Sequence, residues 1–277
     1  MRSLEEGLII HYSFDGDAND RSGNDNHGIV NGAQLTSDRF GNANSAYSFD
    51  GINNFISAGA DILPSAERTT ALWFKANTVS NHPVLFSYGG GSCGSSWFMG
   101  LNATNYNNSY YLSSHCDVNT LTSPYSQDPI NAWFHLIVST DTNGTRMYVN
   151  GVQVASNNNY ITNTNVAGKD LSIGVATSPS GSVPYTDVNV GYFDGSIDDV
   201  RIYNRALSES EIQELYQDET ETSCSPGTVS PDLDIHMPSL NYETLLGTQN
   251  IWADLEYLGT NNEGKHIWGL KDFGTNQ

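Results

Sequence analysis

The sequence predicts an all-β fold: a two-sheet antiparallel β-sandwich (jelly roll) with a short C-terminal helix, followed by a small β-rich C-terminal extension. Many short segments rich in β-branched and aromatic residues are separated by turns of Gly, Asn and Asp, as is typical of antiparallel sheets. Roughly 200 residues of this kind are enough to bury a core between two sheets. Ser208 and Glu211 mark the start of the helix, because they are spaced as a capping box.

The predicted strands are short runs whose residues alternate between two faces. They lie at residues 8–14, 29–30, 46–49, 55–58, 69–76, 84–88, 97–101, 110–113, 133–140, 146–150, 152–155, 171–175 and 191–202. In the last of these strands, regular alternation places Asp198 and Asp199 on opposite faces. We therefore expect Asp199 to lie at the surface.

The composition changes after residue 217, and we predict three regions. These are a sandwich over residues 1–217, an acidic Ser/Pro/Gly linker over 218–231 and a β-rich extension or incomplete domain over 232–277. Strands are expected in the extension at 233–237, 251–258 and 266–270. Because so few strands are a small unit for independent stability, the extension is expected to pack on the sandwich, to pair with another chain or to belong to a truncated domain.

The charge balance limits the partners of this chain. It has 31 Asp and Glu against 11 Lys and Arg, a formal net charge of −20. Such a surface repels nucleic acid phosphates and anionic membranes and attracts divalent cations. The sequence has no apolar run long enough to span a bilayer. We therefore expect no nucleic acid partner and no membrane insertion.

Two features concern cysteines and cations. Cys93 and Cys116 flank a predicted hairpin, so a disulfide between them is expected in an exported protein; free thiols are the alternative. The loop over residues 15–27 is dense in Asp, Asn and Gly, whose oxygens suit calcium. It is not an EF-hand, because Asp20 and Asn26 stand where that motif has Gly and Glu. A solvated turn is the alternative for this loop.

Several motifs together resemble laminin-G-like domains of the concanavalin A-like lectin/glucanase superfamily. Residues 198–208 (DDVRIYNRALS) resemble the last strand and the start of the terminal helix of these domains. Residues 8–16 (LIIHYSFDG) and 19–28 (NDRSGNDNHG) resemble the first strand and first loop, and 47–51, 133–136 and 147–152 match further segments in the same order. The resemblance covers roughly residues 7–217 and implies the sandwich fold.

The resemblance also implies a calcium ion between the first loop and the late acidic strand. Carried over to this chain, Asp20 and Asp198 would supply carboxylates and Asn24 an amide oxygen. Backbone carbonyls near Gly23 and His27 would complete the shell. Such an ion would tie the N-terminal loop to the last strand and stabilise the folded state, because it binds only that state.

The longest irregular stretches are the expected recognition loops. They lie at residues 102–108, 117–131, 156–165 and 177–189 and are rich in Asn, Ser, Thr and Tyr. Because aromatic rings can stack on sugar faces, the candidate ligand-binding residues are Trp97, Tyr106, Tyr110 and Tyr125. The alternative is that such tyrosines are ordinary strand residues.

The sequence favours a binding function over catalysis. Glycoside hydrolases need two carboxylates, yet the Glu-x-Asp-x-Glu run usual in this superfamily is absent and no Glu lies between Glu67 and Glu209. Asp187 and Asp194 remain a conceivable pair. We expect a non-catalytic, secreted or cell-surface binding or adhesion module for a glycan or an extracellular protein. The alternatives are a structural subunit of an extracellular assembly that self-associates through the C-terminal strands, and a divergent glycan-degrading enzyme.

Overall fold

The computed structural model of the chain describes residues 3–80, 82–102, 108–114, 120–125, 127–160, 163–185, 191–218, 255–260 and 266–270. The chain divides into two compact units, Met1–Thr222 and Ser223–Gln277. Within the described ranges, no helix is long and apolar enough to cross a membrane.

The first unit is a two-sheet antiparallel sandwich. Its elements are β1 (Leu8–Tyr12), β2 (Ile29–Asn31), β3 (Gln34–Thr36), β4 (Ala46–Asp50), β5 (Phe55–Gly59), β6 (Arg68–Ala76), β7 (Val84–Gly89), β8 (Ser96–Asn102), β9 (Ser109–Ser113), β10 (Leu121–Pro124), β11 (Phe134–Asp141), β12 (Gly144–Val149), β13 (Val152–Asn157), β14 (Asp170–Ile173), β15 (Asp194–Tyr203) and α1 (Glu209–Asp218). The first sheet has the order β13-β12-β11-β6-β15-β4-β3, with β1 also paired to β15. The second has the order β10-β9-β8-β7-β14-β5-β2.

The hydrophobic core lies between these sheets. Leu72 and Phe74 of β6 belong to the same buried cluster as Phe86 of β7 and Met99 of β8. Successive side chains of a strand point to opposite faces, so Ser87 and Phe98, the neighbours of Phe86 and Met99, face outward. Burial of the inward row is the main favourable term that holds the sheets together.

Helix α1 covers part of the outer face of the first sheet. Ile212 and Leu215 form a second buried cluster with Ile137, Tyr148 and Tyr203 of the sheet. The predicted capping box is confirmed, since Ser208 N donates to Glu211 Oε2 (2.8 Å) and Glu211 N donates to Ser208 Oγ (3.3 Å). Arg205 adds an ion pair to Glu211 at 2.9 Å.

The regular alternation predicted for β15 is wrong because the strand contains a bulge. The pairing register with β6 shifts between Asp198 and Arg201, and Asp199 has a left-handed φ of 49°. Both Ile197 and Val200 therefore lie in the core, while Asp198 and Asp199 contact the same guanidinium on the outer face. Asp199 is buried rather than at the surface. An extra residue in one strand re-aims side chains in this way.

The predicted fold class is confirmed, and its element list needs two additions. β3 was not predicted, and β10 lies within residues 117–131, which were expected to be irregular. The second unit contains a two-stranded antiparallel sheet of β16 (Leu255–Thr260) and β17 (His266–Leu270). The strand expected at 233–237, most of the linker expected at 218–231 and Cys224 lie outside the described residues.

Candidate functional site

Two copies of a tripeptide that occurs three times meet at an end of the sandwich. Residues 14–16, 49–51 and 193–195 all read Phe-Asp-Gly, and the second and third copies meet. The pairing of β4 with β15 places Asp50 opposite Asp194, and Gly51 N donates to Phe193 O at 3.0 Å. Phe49 and Phe193 are buried in the core with ring centroids 6.2 Å apart. The two aspartates are therefore anchored by their aromatic neighbours.

The carboxylate of Asp194 is held by the residues that follow β6. Asn77 Nδ2 donates to Asp194 Oδ1 (2.9 Å), and Thr78 Oγ1 donates to Asp194 Oδ2 (3.1 Å). The backbone adds a third bond, from Asn77 N to Asp194 O (2.9 Å). Asn77 and Thr78 are exposed and Asp194 is half-buried, so this polar group is fixed in orientation and open to solvent.

Asp50 is held by its own turn. Its Oδ1 accepts the backbone N–H groups of Ile52, Asn53 and Asn54 at 2.9, 3.1 and 3.3 Å. Burial opposes ionisation of Asp50, but these donors outweigh it and lower the pKa of the carboxyl. Asp50 is therefore an acceptor of hydrogen bonds at neutral pH.

Tyr192 provides an aromatic ring beside these groups. It is half-buried, and burial together with the charge of Asp50 raises its pKa, so its phenol stays neutral. We call Asp50, Asn77, Thr78, Tyr192 and Asp194 the paired Phe-Asp-Gly site. It combines fixed carboxylate acceptors, an amide, a hydroxyl and a ring.

The paired Phe-Asp-Gly site was not predicted as a binding site. Of its five residues, only Asp194 was considered, as a possible catalytic partner of Asp187, which lies outside the described residues. The repeated tripeptide was the available signal.

Two of the predicted aromatic ligand residues, Trp97 and Tyr110, lie inside the core. Trp97 is fully buried, and the Arg68 guanidinium lies 4.5 Å from its ring centroid. Tyr110 is also fully buried, with Phe74 and Phe134 6.4 Å away. The prediction is wrong for both residues, since a ring packed inside the core cannot stack on a sugar.

The two other tyrosines have different outcomes. Tyr125 is half-buried, packs edge-on against Tyr110 at 4.8 Å and donates its hydroxyl to Asn102 O at 3.0 Å, which is a structural role. Burial raises its pKa. Tyr106 lies outside the described residues, so its role in ligand binding stays a prediction. Cys116 also lies outside them, so the disulfide between Cys93 and Cys116 stays a prediction.

The outer face of the second sheet is covered at its centre. Ser172 of β14 and Ser87 of β7 are register partners on this face, and both are fully buried. The segment after β14 lies over them, because Thr177 N donates to Ser87 Oγ (2.8 Å) and Ser87 Oγ donates to Val175 O (3.2 Å). This part of the face is therefore closed to a ligand.

Asp20 organises the first loop from within. Its Oδ1 accepts the N–H groups of His11 and Ser22 (3.0 and 2.9 Å), and its Oδ2 accepts Ser22 Oγ and Asn26 N (2.9 and 3.2 Å). Burial opposes ionisation, but these donors lower the pKa of Asp20. Four donors fill the acceptor sites of one carboxylate, so Asp20 has little capacity left for a metal.

For the remaining predicted ligands, the partners in the structure belong to other atoms than the expected Asn24 amide oxygen and the backbone carbonyls near Gly23 and His27. Asn24 donates its amide N–H to Ile9 O (3.0 Å), and His27 Nδ1 accepts the N–H of Asp20 (3.1 Å). Gly23 is exposed, with a φ of +90°. In the part of the chain that the structure describes, no three His, Cys, Asp or Glu residues form a group that could hold a metal.

Asp198 is paired with a protein cation. Its Oδ2 accepts a hydrogen bond from Arg39 Nη1. Burial, which Arg39 only partly offsets, and the neighbouring Asp199 raise the pKa of Asp198 to about 8. A carboxyl must lose its proton to bind a metal. The arrangement of Asp20 and Asp198 therefore does not fit a calcium site, and the calcium ion itself stays a prediction.

His135 has a packing role. It is fully buried and stacks between Trp73 (4.8 Å) and Tyr216 (5.9 Å). Burial lowers its pKa to about 3, so the imidazole is neutral at physiological pH.

Comparison with known families identifies the superfamily to which this fold belongs. A laminin G family model, described as the concanavalin A-like lectin/glucanases superfamily, matches residues 49–213. The chain belongs to this superfamily. The matched segment contains both Asp50 and Asp194, so the paired Phe-Asp-Gly site lies within the family domain.

Solved structures of the same fold come from several binding domains. Domain 4 of the extracellular GH43 arabinanase AbnA from Geobacillus stearothermophilus, solved with arabinotriose, has a TM-score of 0.60 and 23% identity, over 76% of this chain and 98% of that one. The binding domain of Paraclostridial Mosquitocidal Protein 1 has a TM-score of 0.58 and 15% identity, over 78% and 53%.

The botulinum neurotoxin serotype D binding domain has a TM-score of 0.55 and 18% identity, over 78% of this chain and 51% of that one. This chain thus spans about half of each of these toxin binding domains. No curated protein matches the sequence.

Proposed function

We propose that this chain is a non-catalytic extracellular module that binds glycans through the paired Phe-Asp-Gly site. The observation that carries this proposal is the carboxylate of Asp194, which Asn77 and Thr78 hold in place at the solvent-facing end of the sandwich. A preorganised acceptor lowers the entropic cost of binding.

The chemistry of the site suits a neutral polyol. Sugar hydroxyls are both donors and acceptors. They find acceptors in Asp50, Asp194 and the Thr78 hydroxyl oxygen, and a donor in the second amide N–H of Asn77. Tyr192 offers a half-buried ring to the apolar face of a sugar. Such a mixture of a few placed polar groups with an aromatic surface is common in small-molecule sites. An anionic glycan fits poorly, because the chain carries a net charge of −20.

The pKa of Asp50 supports binding rather than hydrolysis. Glycoside hydrolases use one carboxyl as a general acid, and its pKa is raised for this role. The three N–H donors to Asp50 have the opposite effect and lower its pKa. Asp50 is therefore unsuited to act as the general acid of such a pair.

The comparisons support a binding role of this kind. The arabinanase domain that shares the fold was solved with arabinotriose. Other structures with this fold are toxin receptor-binding domains. A protein receptor is therefore the alternative partner, and an extracellular setting is part of the proposal.

The test is a screen of the intact chain on immobilised neutral and anionic glycans, arabinotriose included, in buffer with EDTA. We expect a signal on neutral glycans that Asp194→Ala and Tyr192→Ala both abolish. Asp141→Ala is the matched control, because Asp141 is a solvent-accessible carboxylate with an N–H donor and an ion pair in the β11–β12 hairpin. Equal signals from all variants, or no signal from the native chain, would contradict the proposal.

A second candidate function rests on the β16–β17 sheet. It has two strands, so each has a single partner among the described strands and one open edge. Open edges can pair with strands of another chain, and the extension could join subunits of an assembly. Light scattering over a concentration series tests this: association should disappear on deletion of residues 223–277, and a monomer at every concentration would exclude it.

A further inference from the structure

The bulge in β15 places two buried carboxyl groups next to each other, which is electrostatically unfavourable. It brings two adjacent carboxylates to the same face, and Asp198 and Asp199 retain only 2% and 7% of their accessible surface. If both were ionised, two like charges removed from water would repel each other and lose hydration. The pKa of Asp198 is accordingly raised to about 8, and a cation is required at this position to favour its charged form.

Arg39 supplies this cation from the segment between β3 and β4. Its Nη1 donates to Asp198 Oδ2, and its Nη2 lies 3.3 Å from Asp199 Oδ2. The guanidinium also lies 4.5 Å from the Phe40 ring centroid and 4.9 Å from that of Trp73. The side chain is 10% exposed, so Arg39 is built into the fold between two rings and two carboxylates.

The other oxygen of Asp199 is occupied as well. His11 Nε2 lies 2.8 Å from Asp199 Oδ1, and Arg201 Nε donates to the same oxygen at 3.1 Å. Calcium requires six to eight oxygen ligands, whereas these carboxylates are surrounded by nitrogen donors. The two guanidinium groups would also repel a divalent ion.

These contacts perform the task that a bridging ion would perform. His11 lies on β1 and Arg39 lies between β3 and β4, so Asp199 connects two separate N-terminal segments to the last strand of the sandwich. The backbone N–H of His11 is in turn bound by Asp20 of the first loop. The first loop and β15 are thus linked by protein groups.

We propose that Arg39 is a built-in replacement for a metal ion at the Asp198–Asp199 pair, so that this sandwich folds and binds its ligand independently of divalent cations. The predicted structural calcium is then unnecessary. This proposal does not depend on the paired Phe-Asp-Gly site, since its contacts are made by other residues.

Metal independence is tested by thermal unfolding of the full chain with EDTA and with 1 mM calcium. This calcium concentration is about a 100-fold excess over a typical dissociation constant. A calcium site of that affinity would raise Tm by about 5–11 °C. We expect the native chain to melt at the same temperature in both buffers. A rise of that size, lost in Asp198→Asn, would overturn the proposal.

Substitution of the arginine tests its role. Arg39→Met keeps an apolar stem beside Trp73 but removes the charge, and we expect Tm to fall by about 6–20 °C. Arg21→Met is the control, because Arg21 forms an exposed pair with Asp17 and its loss should change Tm by less than about 4 °C.

A further variant covers the possibility that Arg39→Met does not fold. Arg39→Lys keeps the charge but not the two-armed fork, and its Tm should lie between those of the native chain and Arg39→Met, or below the native value if Arg39→Met is unfolded. Equal Tm values for Arg39→Met, Arg39→Lys and Arg21→Met would contradict a specific role of Arg39.

Discussion

Asp50 and Asp194 lie opposite each other in the β4–β15 pair, yet their carboxylates are held in different ways. Asp50 is bound by backbone N–H groups of its own turn, whereas Asp194 is bound by side chains from the end of β6. The first arrangement is made within residues 50–54 of one turn, whereas the second joins the start of β15 to the residues that follow β6. The position of the Asp194 carboxylate therefore depends on the tertiary structure of the sandwich, whereas that of Asp50 depends on a local turn.

Gly195, which follows Asp194, is required by close packing. A Cβ at this position would lie 2.3 Å from Lys75 O and 2.5 Å from Phe193 Cζ. Because a backbone carbonyl cannot move away without a cost in free energy, Gly195→Ala should lower the free energy of unfolding by about 1–3 kcal/mol. Gly59→Ala is the control, since a Cβ there meets nothing closer than 4.0 Å. Urea denaturation of both variants checks this, and equal midpoints would refute it.

Trp97 should matter for stability and not for ligand binding. Its ring is fully buried beside Arg68, which is also fully buried and whose Nη1 donates to Tyr88 Oη (2.7 Å) and Thr164 Oγ1 (2.6 Å). Trp97→Ala should lower the free energy of unfolding by about 3–5 kcal/mol. Ligand affinity, measured well below the melting temperature, should stay at the native value. A selective loss of affinity in a stable variant would restore Trp97 as a ligand residue.

The strands could be predicted because their signals are local. Alternation and turn residues located β6, β11 and β12 almost to their ends, and the helix start followed from Ser208 and Glu211. β3 and β10 were missed because runs of three or four residues carry too little alternation to be recognised. They are strands through pairing with β4 and β9, which is a tertiary effect.

The site was harder to predict because it depends on which strands pair and on which face of the sheet each side chain lies. Trp97 and Phe98 are adjacent and both aromatic, so alternation alone cannot tell which one faces the core. The bulge at Asp199 follows from the register with β6, which leaves no sequence pattern of its own. Asn77 and Asp194 meet only when β6 and β15 pair.

His135 should make the protein less stable in acid. Its pKa is about 3 in the folded state, because burial and the charges of Arg39 and Arg201 lower it while Asp199 opposes them, and it is about 6.5 when unfolded. The unfolded state thus binds more protons, so stability falls as pH decreases from about 6.5 towards 3. At pH 5.5 the loss should be roughly 1 kcal/mol relative to neutral pH.

Replacement of the imidazole isolates this contribution. His135→Phe keeps a ring between Trp73 and Tyr216 and removes the titrating group. Chemical denaturation between pH 4.5 and 7 should show a shallower pH dependence for this variant than for the native chain. Parallel profiles for the two proteins would show that His135 does not cause the acid sensitivity.

Asp20 should contribute stability that disappears at low pH. Its folded pKa is lowered by the N–H donors of the first loop, so its contribution is present above the unfolded value near 3.9 and is lost as pH falls through the folded value. Asp20→Asn should be less stable at pH 7 and should lose less stability on acidification. Asp25→Asn, an exposed change in the same loop, is the control and should follow the native profile.

The central claim is that Asp194 binds a glycan as a fixed acceptor. Titration calorimetry of the native chain, Asp194→Ala and Asp141→Ala with a neutral oligosaccharide selected by the glycan screen tests it most directly. Loss of a hydrogen bond to a charged group should weaken binding by about 10- to 150-fold in Asp194→Ala, with native affinity in Asp141→Ala. Native affinity in a folded Asp194→Ala variant would contradict the account.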